Sequence, residues 1–303
     1  MIPLIPICYY PHRKIILDDD QAFTQSMLLK LAGKNFTSCN SPIDILNNLS
    51  HYKPELNKND LLINNSFIAD TSTQHIINID IKKFSKLLSR TDFNDISVLL
   101  VDYHMPEMTG IEFLQQISHL PIKKALITGE NDYKIAVDSF NSGLIDAYLR
   151  KDDPQFSSKI TKIASELEWK YFTELSSLIF EIPEFNFLKN LHLYTVFKQY
   201  IEEKNISAFC LADLHGTFIT QNQNGDREYL FIRSKNQLEV LTQVAGEDGA
   251  SQEVINQLIN TNVIPFFDSK EYWEIPASEW DDYLCPIKKI AGETELFWAT
   301  KKI

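Results

Sequence analysis

Apolar positions in the first half of the chain form short runs separated by stretches of helical period. Lys14-Ile-Ile-Leu17 is an apolar run that ends in three aspartates and predicts a strand. From Gln21 to about Ala32, Phe23, Met27, Leu28 and Leu31 recur at helical spacing. Ile96-Ser-Val-Leu-Leu-Val101 is nearly unbroken, the pattern of a strand buried on both faces of a parallel sheet. A helix from Ile111 to Leu120 follows, then a strand at Lys124-Ala-Leu-Ile-Thr128. Another helix runs through Ala136 and Phe140 to a stop at Gly143, and Asp146-Ala-Tyr-Leu-Arg150 is the last strand of the series. Strand-then-helix repetition implies an α/β fold, a doubly wound parallel sheet with right-handed crossovers. Ligands of such sheets bind at the carboxyl ends of the strands.

One stretch interrupts this rhythm. Residues from about 54 to 95 are too many for an ordinary connection, and they are rich in Asn, Ser, Asp and Lys. They carry the apolar patch Leu61-Leu62-Ile63 and a predicted helix from Asp80 to Arg90, and so read as an insertion. After Pro154, Ile160, Ile163, Leu167, Tyr171, Leu175 and Leu178 make one apolar helical stripe, and a second helix is expected over Phe187 to Glu203. From Ser207 the period changes. Ala208–Leu214 and Thr217–Thr220 flank a Gly216 turn, and Asn224-Gly225 precedes a strand at Glu228–Ile232. Helices near 235–245 and 251–261 and strands at 264–267, 283–290 and 295–300 complete an α+β domain built on a mainly antiparallel sheet. The expected organisation is a first domain over 1–153, a helical linker over 154–204 that offers dimer helices, and a second domain over 205–303.

The net charge of −12 disfavours a nucleic-acid-coated surface, which needs clustered Lys and Arg. Cys8, Cys39, Cys210 and Cys285 show neither CxxC nor Cys/His ligand spacing, the picture of reduced cytoplasmic thiols. No apolar run reaches membrane-span length, and the start, MIPLIPICYYPHRK, lacks a basic stretch ahead of its apolar residues. A cytoplasmic protein is expected.

The strand ends bring candidate chemistry together. Asp18, Asp19, Asp102, Thr128 and Lys151 all emerge at one edge of a parallel sheet. Converging carboxylates repel unless a cation intervenes, and all-oxygen ligation suits Mg²⁺. A carboxylate there can act as nucleophile toward phosphorus. The run Val101-Asp102-Tyr-His-Met105-Pro106-Glu-Met108-Thr-Gly110 stands between Asp18-Asp19 and the later segments Leu126-Ile-Thr128-Gly129 and Tyr148-Leu-Arg-Lys151. Together, in this order, they resemble the receiver domains of bacterial two-component response regulators, over residues 13–152 less the insertion. The resemblance implies a five-stranded flavodoxin-like receiver fold. It implies that Asp102 is the phosphoacceptor, and that Asp18, Asp19, Asp102 and the His104 carbonyl hold Mg²⁺. It further implies that Thr128 bonds the phosphoryl group, that Lys151 pairs with it, and that Tyr148 is the aromatic switch partner of Thr128. A sensor histidine kinase or histidine phosphotransfer protein is the implied phosphodonor. The segment departs from the family in the long Asp19–Asp102 spacing, in an extra residue that leaves Arg150 as a rival to Lys151, and in Asp152 where a proline is usual.

Other residues have plainer readings. Asp20 suits a helix N-cap, His104 a solvated side chain or a modulator of phosphoryl lifetime, and Tyr148 a core aromatic. The C-terminal aromatics Phe266, Phe267, Tyr272, Trp273, Trp280, Tyr283, Phe297 and Trp298 read as core. No phosphate loop, metalloprotease or nucleophile-elbow motif occurs, nor a cyclic-dinucleotide turnover motif. By element order, with Asp213-Leu-His-Gly216-Thr at the first turn, the second domain looks somewhat like a PAS-type sensory module. The expected output is protein–protein contact or dimer rearrangement. The alternatives are an unrecognised DNA-binding element and a nucleotide- or ligand-binding output. The stretch from Gln237 to Asn262, the best helix-turn-helix candidate, contains no Lys or Arg.

Overall fold

The computed structural model describes residues 3–54, 62–63, 78–79, 88, 94–129, 133–267, 274–290, 292 and 295–303. Apart from Leu88, the expected helix from Asp80 to Arg90 lies outside them, as do Tyr272 and Trp273. The chain divides into two compact units, one of Pro11–Asn64 with Arg90–Leu175, the other of Met1–Tyr10, Asn65–Ser89 and Ser176–Ile303.

The strands and helices of the chain, in order, are β1 (Cys8–Tyr9), β2 (Arg13–Leu17), α1 (Gln21–Lys30), β3 (Phe36–Cys39), α2 (Pro42–Leu49), β4 (Leu62–Ile63), β5 (Asn78–Ile79), β6 (Ile96–Asp102), α3 (Gly110–Gln116), β7 (Lys123–Thr128), α4 (Tyr133–Asn141), β8 (Ala147–Arg150) and α5 (Phe156–Leu175), followed by α6 (Leu191–Glu203), β9 (Ile206–Leu211), β10 (Thr217–Asn222), β11 (Arg227–Ser234), α7 (Lys235–Glu247), α8 (Gln252–Ile259), β12 (Val263–Pro265), β13 (Leu284–Pro286), β14 (Lys288–Lys289) and β15 (Leu296–Lys302). The first unit is a parallel five-stranded sheet in the order β3-β2-β6-β7-β8. Every residue of β6 and β7 is buried, as expected for strands centred on the apolar runs Val98–Val101 and Ala125–Ile127. One face packs Ile45 and Leu49 of α2, Phe113 and Leu114 of α3 and Ala136 of α4 against Leu17, Leu99 and Val101. The other packs Met27 of α1 and Phe156, Ile160 and Leu167 of α5 against Ile16, Leu100 and Ile127.

That second face corrects the dimer reading of the α5 stripe. Ile160 and Leu167 pack in the core on this face, with Ile163 against it, so this part of the stripe covers the chain's own sheet. A buried ion pair fastens α5 further, with Lys14 Nζ 2.8 Å from Glu168 Oε1.

The second unit is a six-stranded antiparallel sheet, β1-β9-β10-β11-β15-β14. The first ten residues, expected in the first domain, supply its edge strand: Cys8 and Tyr9 pair with Cys210 and Phe209, and Ile5 and Ile7 are fully buried. The expected linker over 154–204 is likewise divided, with α5 in the parallel unit and the chain from Ser176 in the antiparallel one. Its second helix begins at Leu191, not Phe187. Asn190 is extended at φ −74°, ψ 123°, and its side chain caps the Leu193 N–H, while Pro183–Lys189 is a 3₁₀ turn. Phe197 of α6 lies 5.1 Å from Phe209 and 5.5 Å from Phe218 on one sheet face. On the other, Phe231 stacks on Phe266 at 4.6 Å, and Leu238 of α7 joins them. No described helix is long and apolar enough to cross a membrane.

Candidate functional site

Register brings the candidate residues to one edge of the parallel sheet. Leu17 pairs with Val101, Asp102 with Ile127, and Thr128 with Arg150, so the residues after β2 and at the ends of β6, β7 and β8 share one level. Asp20 caps α1 by accepting the Phe23 N–H at 3.0 Å, which starts the helix directly after the acidic pair. Thr109 and Glu112 form a capping box at the start of α3, fixing the turn beyond Asp102. Within that turn the Gly110 N–H donates to the Tyr103 carbonyl at 2.8 Å. A Cβ on Gly110 would overlap the Asp102 carbonyl oxygen and lie 3.1 Å from Tyr103 Cα, so only glycine admits this close approach.

Asp18, Asp19 and Asp102 each offer a carboxylate oxygen, and the three atoms lie within 4.8 Å of one another. Asp18 is fully buried, Asp102 nearly so, and Asp19 exposed. Lys151 bridges the two buried carboxylates, its Nζ 2.8 Å from Asp18 Oδ2 and 2.9 Å from Asp102 Oδ1. Burial pushes the Asp102 carboxyl above the usual carboxylate range; the Lys151 hydrogen bond and charge oppose this, and Asp18 and Asp19 add to it. Burial alone would lower the Lys151 ammonium, but the hydrogen bonds and charges of Asp18 and Asp102 outweigh it and raise Lys151.

Three carboxylates against one ammonium leave excess negative charge. Among the described residues, buried Asp18 Oδ2 meets the Lys151 ammonium at 2.8 Å, a single cation set against the three carboxylates. An oxygen-only donor set with uncompensated charge fits a hard divalent cation.

Thr128 is fully buried at the end of β7, its hydroxyl 3.4 Å from the Leu149 carbonyl. The Lys151 N–H donates to the Thr128 carbonyl at 2.9 Å, tying the two residues through the backbone. Tyr148 is half-buried and packs on the α2–α4 face. Arg150, the rival to Lys151, turns to Asp152, with Nε 3.0 Å from Oδ1. His104 is exposed, its ring 4.6 Å from Tyr103.

Sequence reasoning missed two supports. Asn40 Nδ2 donates to the Asp18 carbonyl at 2.6 Å and to Thr24 Oγ1 at 3.1 Å, holding the acidic turn. The Lys151 ammonium also sits 4.9 Å from the centre of the Phe23 ring. Phe23 is visible in the sequence only as a position on the helical stripe, and Asn40 follows a strand too polar to announce itself.

No protein-family model matches the chain, and no curated protein matches it. Among solved structures, the chain is similar to the response regulator LqsR of Legionella pneumophila. The two are 28% identical with a TM-score of 0.82, over 100% of this chain and 91% of that one. A response regulator receiver domain from Clostridium thermocellum matches 55% of this chain and 98% of its own, at 16% identity and a TM-score of 0.35. With a parallel five-stranded sheet beside a separate antiparallel domain, and a similarity that runs its full length, the chain is a response regulator with a receiver domain.

Proposed function

We propose that the protein receives a phosphoryl group on Asp102 from a histidine kinase or a histidine phosphotransfer protein. The observation that carries this reading is the Lys151 bridge: one ammonium within 3 Å of both Asp18 and Asp102, at the carboxyl edge of the sheet. An Asp102 carboxylate oxygen attacks phosphorus, the new O–P bond forms, and the bond from phosphorus to the donor breaks with its electron pair leaving on the donor. Lys151 offsets charge on the phosphoryl oxygens, and the Thr128 hydroxyl donates to one of them.

Asp18, Asp19, Asp102 and the His104 carbonyl would hold Mg²⁺, which supplies charge neutralisation at the phosphoryl group. Burial raises the Asp102 carboxyl, and the Lys151 hydrogen bond and charge oppose that rise, favouring the carboxylate that attacks phosphorus.

After transfer, the Thr128 hydroxyl turns from the Leu149 carbonyl toward the new oxyanion, and Tyr148 moves into the space it leaves. This is a two-state element biased by one added group. Output is protein–protein contact through the C-terminal unit, with a second copy or another partner. The chemistry of α7 and α8 supports contact with protein over nucleic acid: Lys235 is their single basic residue, beside Glu239, Glu247 and Glu253.

Intact mass after treatment with acetyl phosphate tests the reading. A gain of one phosphoryl group with Mg²⁺, lost in EDTA and in Asp102→Asn, is expected. An equal gain in Asp102→Asn overturns it.

A further inference from the structure

Two of the four thiols are direct partners across a strand pair. β1 runs antiparallel to β9, with Cys8 opposite Cys210 and Tyr9 opposite Phe209. The Leu211 N–H donates to the Ile7 carbonyl at 2.7 Å, so the hydrogen-bonded rungs fall on 7/211 and, by alternation, on 9/209. Cys8/Cys210 is therefore a rung without hydrogen bonds, where the Cα atoms approach to about 4.5 Å and the side chains lie closest. A disulfide spans Cα separations of roughly 4.4–6.8 Å, so the backbone already meets its requirement. Alternation also directs both side chains to the same sheet face, opposite that of Phe209.

The other two thiols have no such partner. Cys285 lies opposite Ile264, and Cys39 opposite Leu17. Cys8 and Cys210 are both buried, but β1 is a two-residue strand at the edge of the sheet and its detachment would expose them.

We infer that Cys8 and Cys210 form a reversible disulfide that fastens the N-terminal strand to the antiparallel sheet, with a low-molecular-weight disulfide such as glutathione disulfide as oxidant. One protein thiolate attacks the oxidant's disulfide and releases a glutathione thiolate. The second protein thiolate then attacks the mixed disulfide and releases the other. The protein loses two electrons and two protons, the oxidant becomes two glutathione thiols, and one S–S bond is exchanged for another. Burial pushes Cys8 well up and Cys210 to about 12, with Arg227 opposing the latter, so reaction waits on β1 fraying. The pair then reports on, and arrests, detachment of the N-terminal strand.

The test treats the full-length chain with glutathione disulfide and maps linkages under non-reducing conditions. The expected product is a single peptide joining Cys8 to Cys210, with an intact mass lower by two hydrogens. It forms equally in the Cys39→Ser/Cys285→Ser variant and is absent in Cys210→Ser. Hydrogen exchange at the Leu211 amide is expected to slow at least tenfold on oxidation. Separate glutathione adducts on Cys8 and Cys210 would overturn the inference. So would thiols that stay reduced under conditions that oxidise the denatured chain. Both readings come from the wild-type protein and do not depend on a variant folding.

Discussion

Lys151 holds its Nζ 2.8 Å from Asp18 Oδ2 and 2.9 Å from Asp102 Oδ1, because it follows β8 at the level where β2 and β6 end. Arg150, one residue earlier, points its guanidinium at the exposed Asp152. Phosphorylation by acetyl phosphate is therefore expected to slow by about 100-fold in Lys151→Ala, the loss of one preorganised charge at the phosphoryl group. Arg150→Ala should phosphorylate at the wild-type rate. Equal losses in both variants would show that the two cations share the role.

Gly110 meets the Asp102 carbonyl so closely that a methyl group cannot be accommodated without moving the turn. Gly110→Ala is expected to destabilise the receiver by about 3 kcal/mol, at the upper end for overpacking, and to lower the rate of phosphorylation. The urea midpoint gives the first quantity and the acetyl phosphate rate the second. An unshifted midpoint would mean the turn relaxes freely.

Much of the receiver is legible in the sequence because its central strands are buried on both faces. Ile96–Asp102 and Lys123–Thr128 carry the apolar runs Val98–Val101 and Ala125–Ile127, and Asp102, Thr128 and Lys151 follow from where such strands stop. β3 is not legible in this way: Phe-Thr-Ser-Cys is an edge strand, only partly buried, and lacks both alternation and an apolar run. Missing it also hid Asn40. The place of the first ten residues in the antiparallel unit is not legible for a different reason. β1 is two residues long, and its partner β9 lies some 200 positions away, a pairing that no local pattern encodes. The stripe on α5 is periodic in the sequence, but period does not say what it packs against.

Lys14 and Glu168 hold α5 to β2 with both side chains almost wholly buried. Glu168 Oε1 also accepts the His12 N–H at 3.3 Å and the Ser97 hydroxyl at 3.4 Å. Glu168→Gln keeps an acceptor for those donors but strands the Lys14 charge, and should cost about 3 kcal/mol. Adding Lys14→Met should recover more than half of that loss. A double variant as unstable as the sum of the two singles would mean that the pair does not interact.

His12 is buried against Tyr171 at 5.1 Å and Phe172 at 4.8 Å. Burial, assisted by the Lys14 charge, pushes it down to about 3, against about 6.5 in the unfolded chain. The unfolded chain therefore binds the extra proton first. The contribution of neutral His12 is fully present above pH 6.5 and is lost as pH falls from 6.5 toward 3, by at most about 1.4 kcal/mol per pH unit. Denaturant titrations between pH 7.5 and 5 should show a shallower decline in His12→Phe than in the wild type. Parallel declines would assign the acid sensitivity to other groups.

The most direct measurement reduces the phosphorylated protein with borohydride and sequences its peptides by mass spectrometry. An aspartyl phosphate is an acyl phosphate, and borohydride converts it to the alcohol, homoserine. Homoserine at position 102 alone, appearing only after treatment with phosphodonor and Mg²⁺, is the predicted result. Homoserine at another aspartate, or unmodified Asp102 in a protein whose mass shows a phosphoryl group, would contradict the assignment of Asp102 as phosphoacceptor.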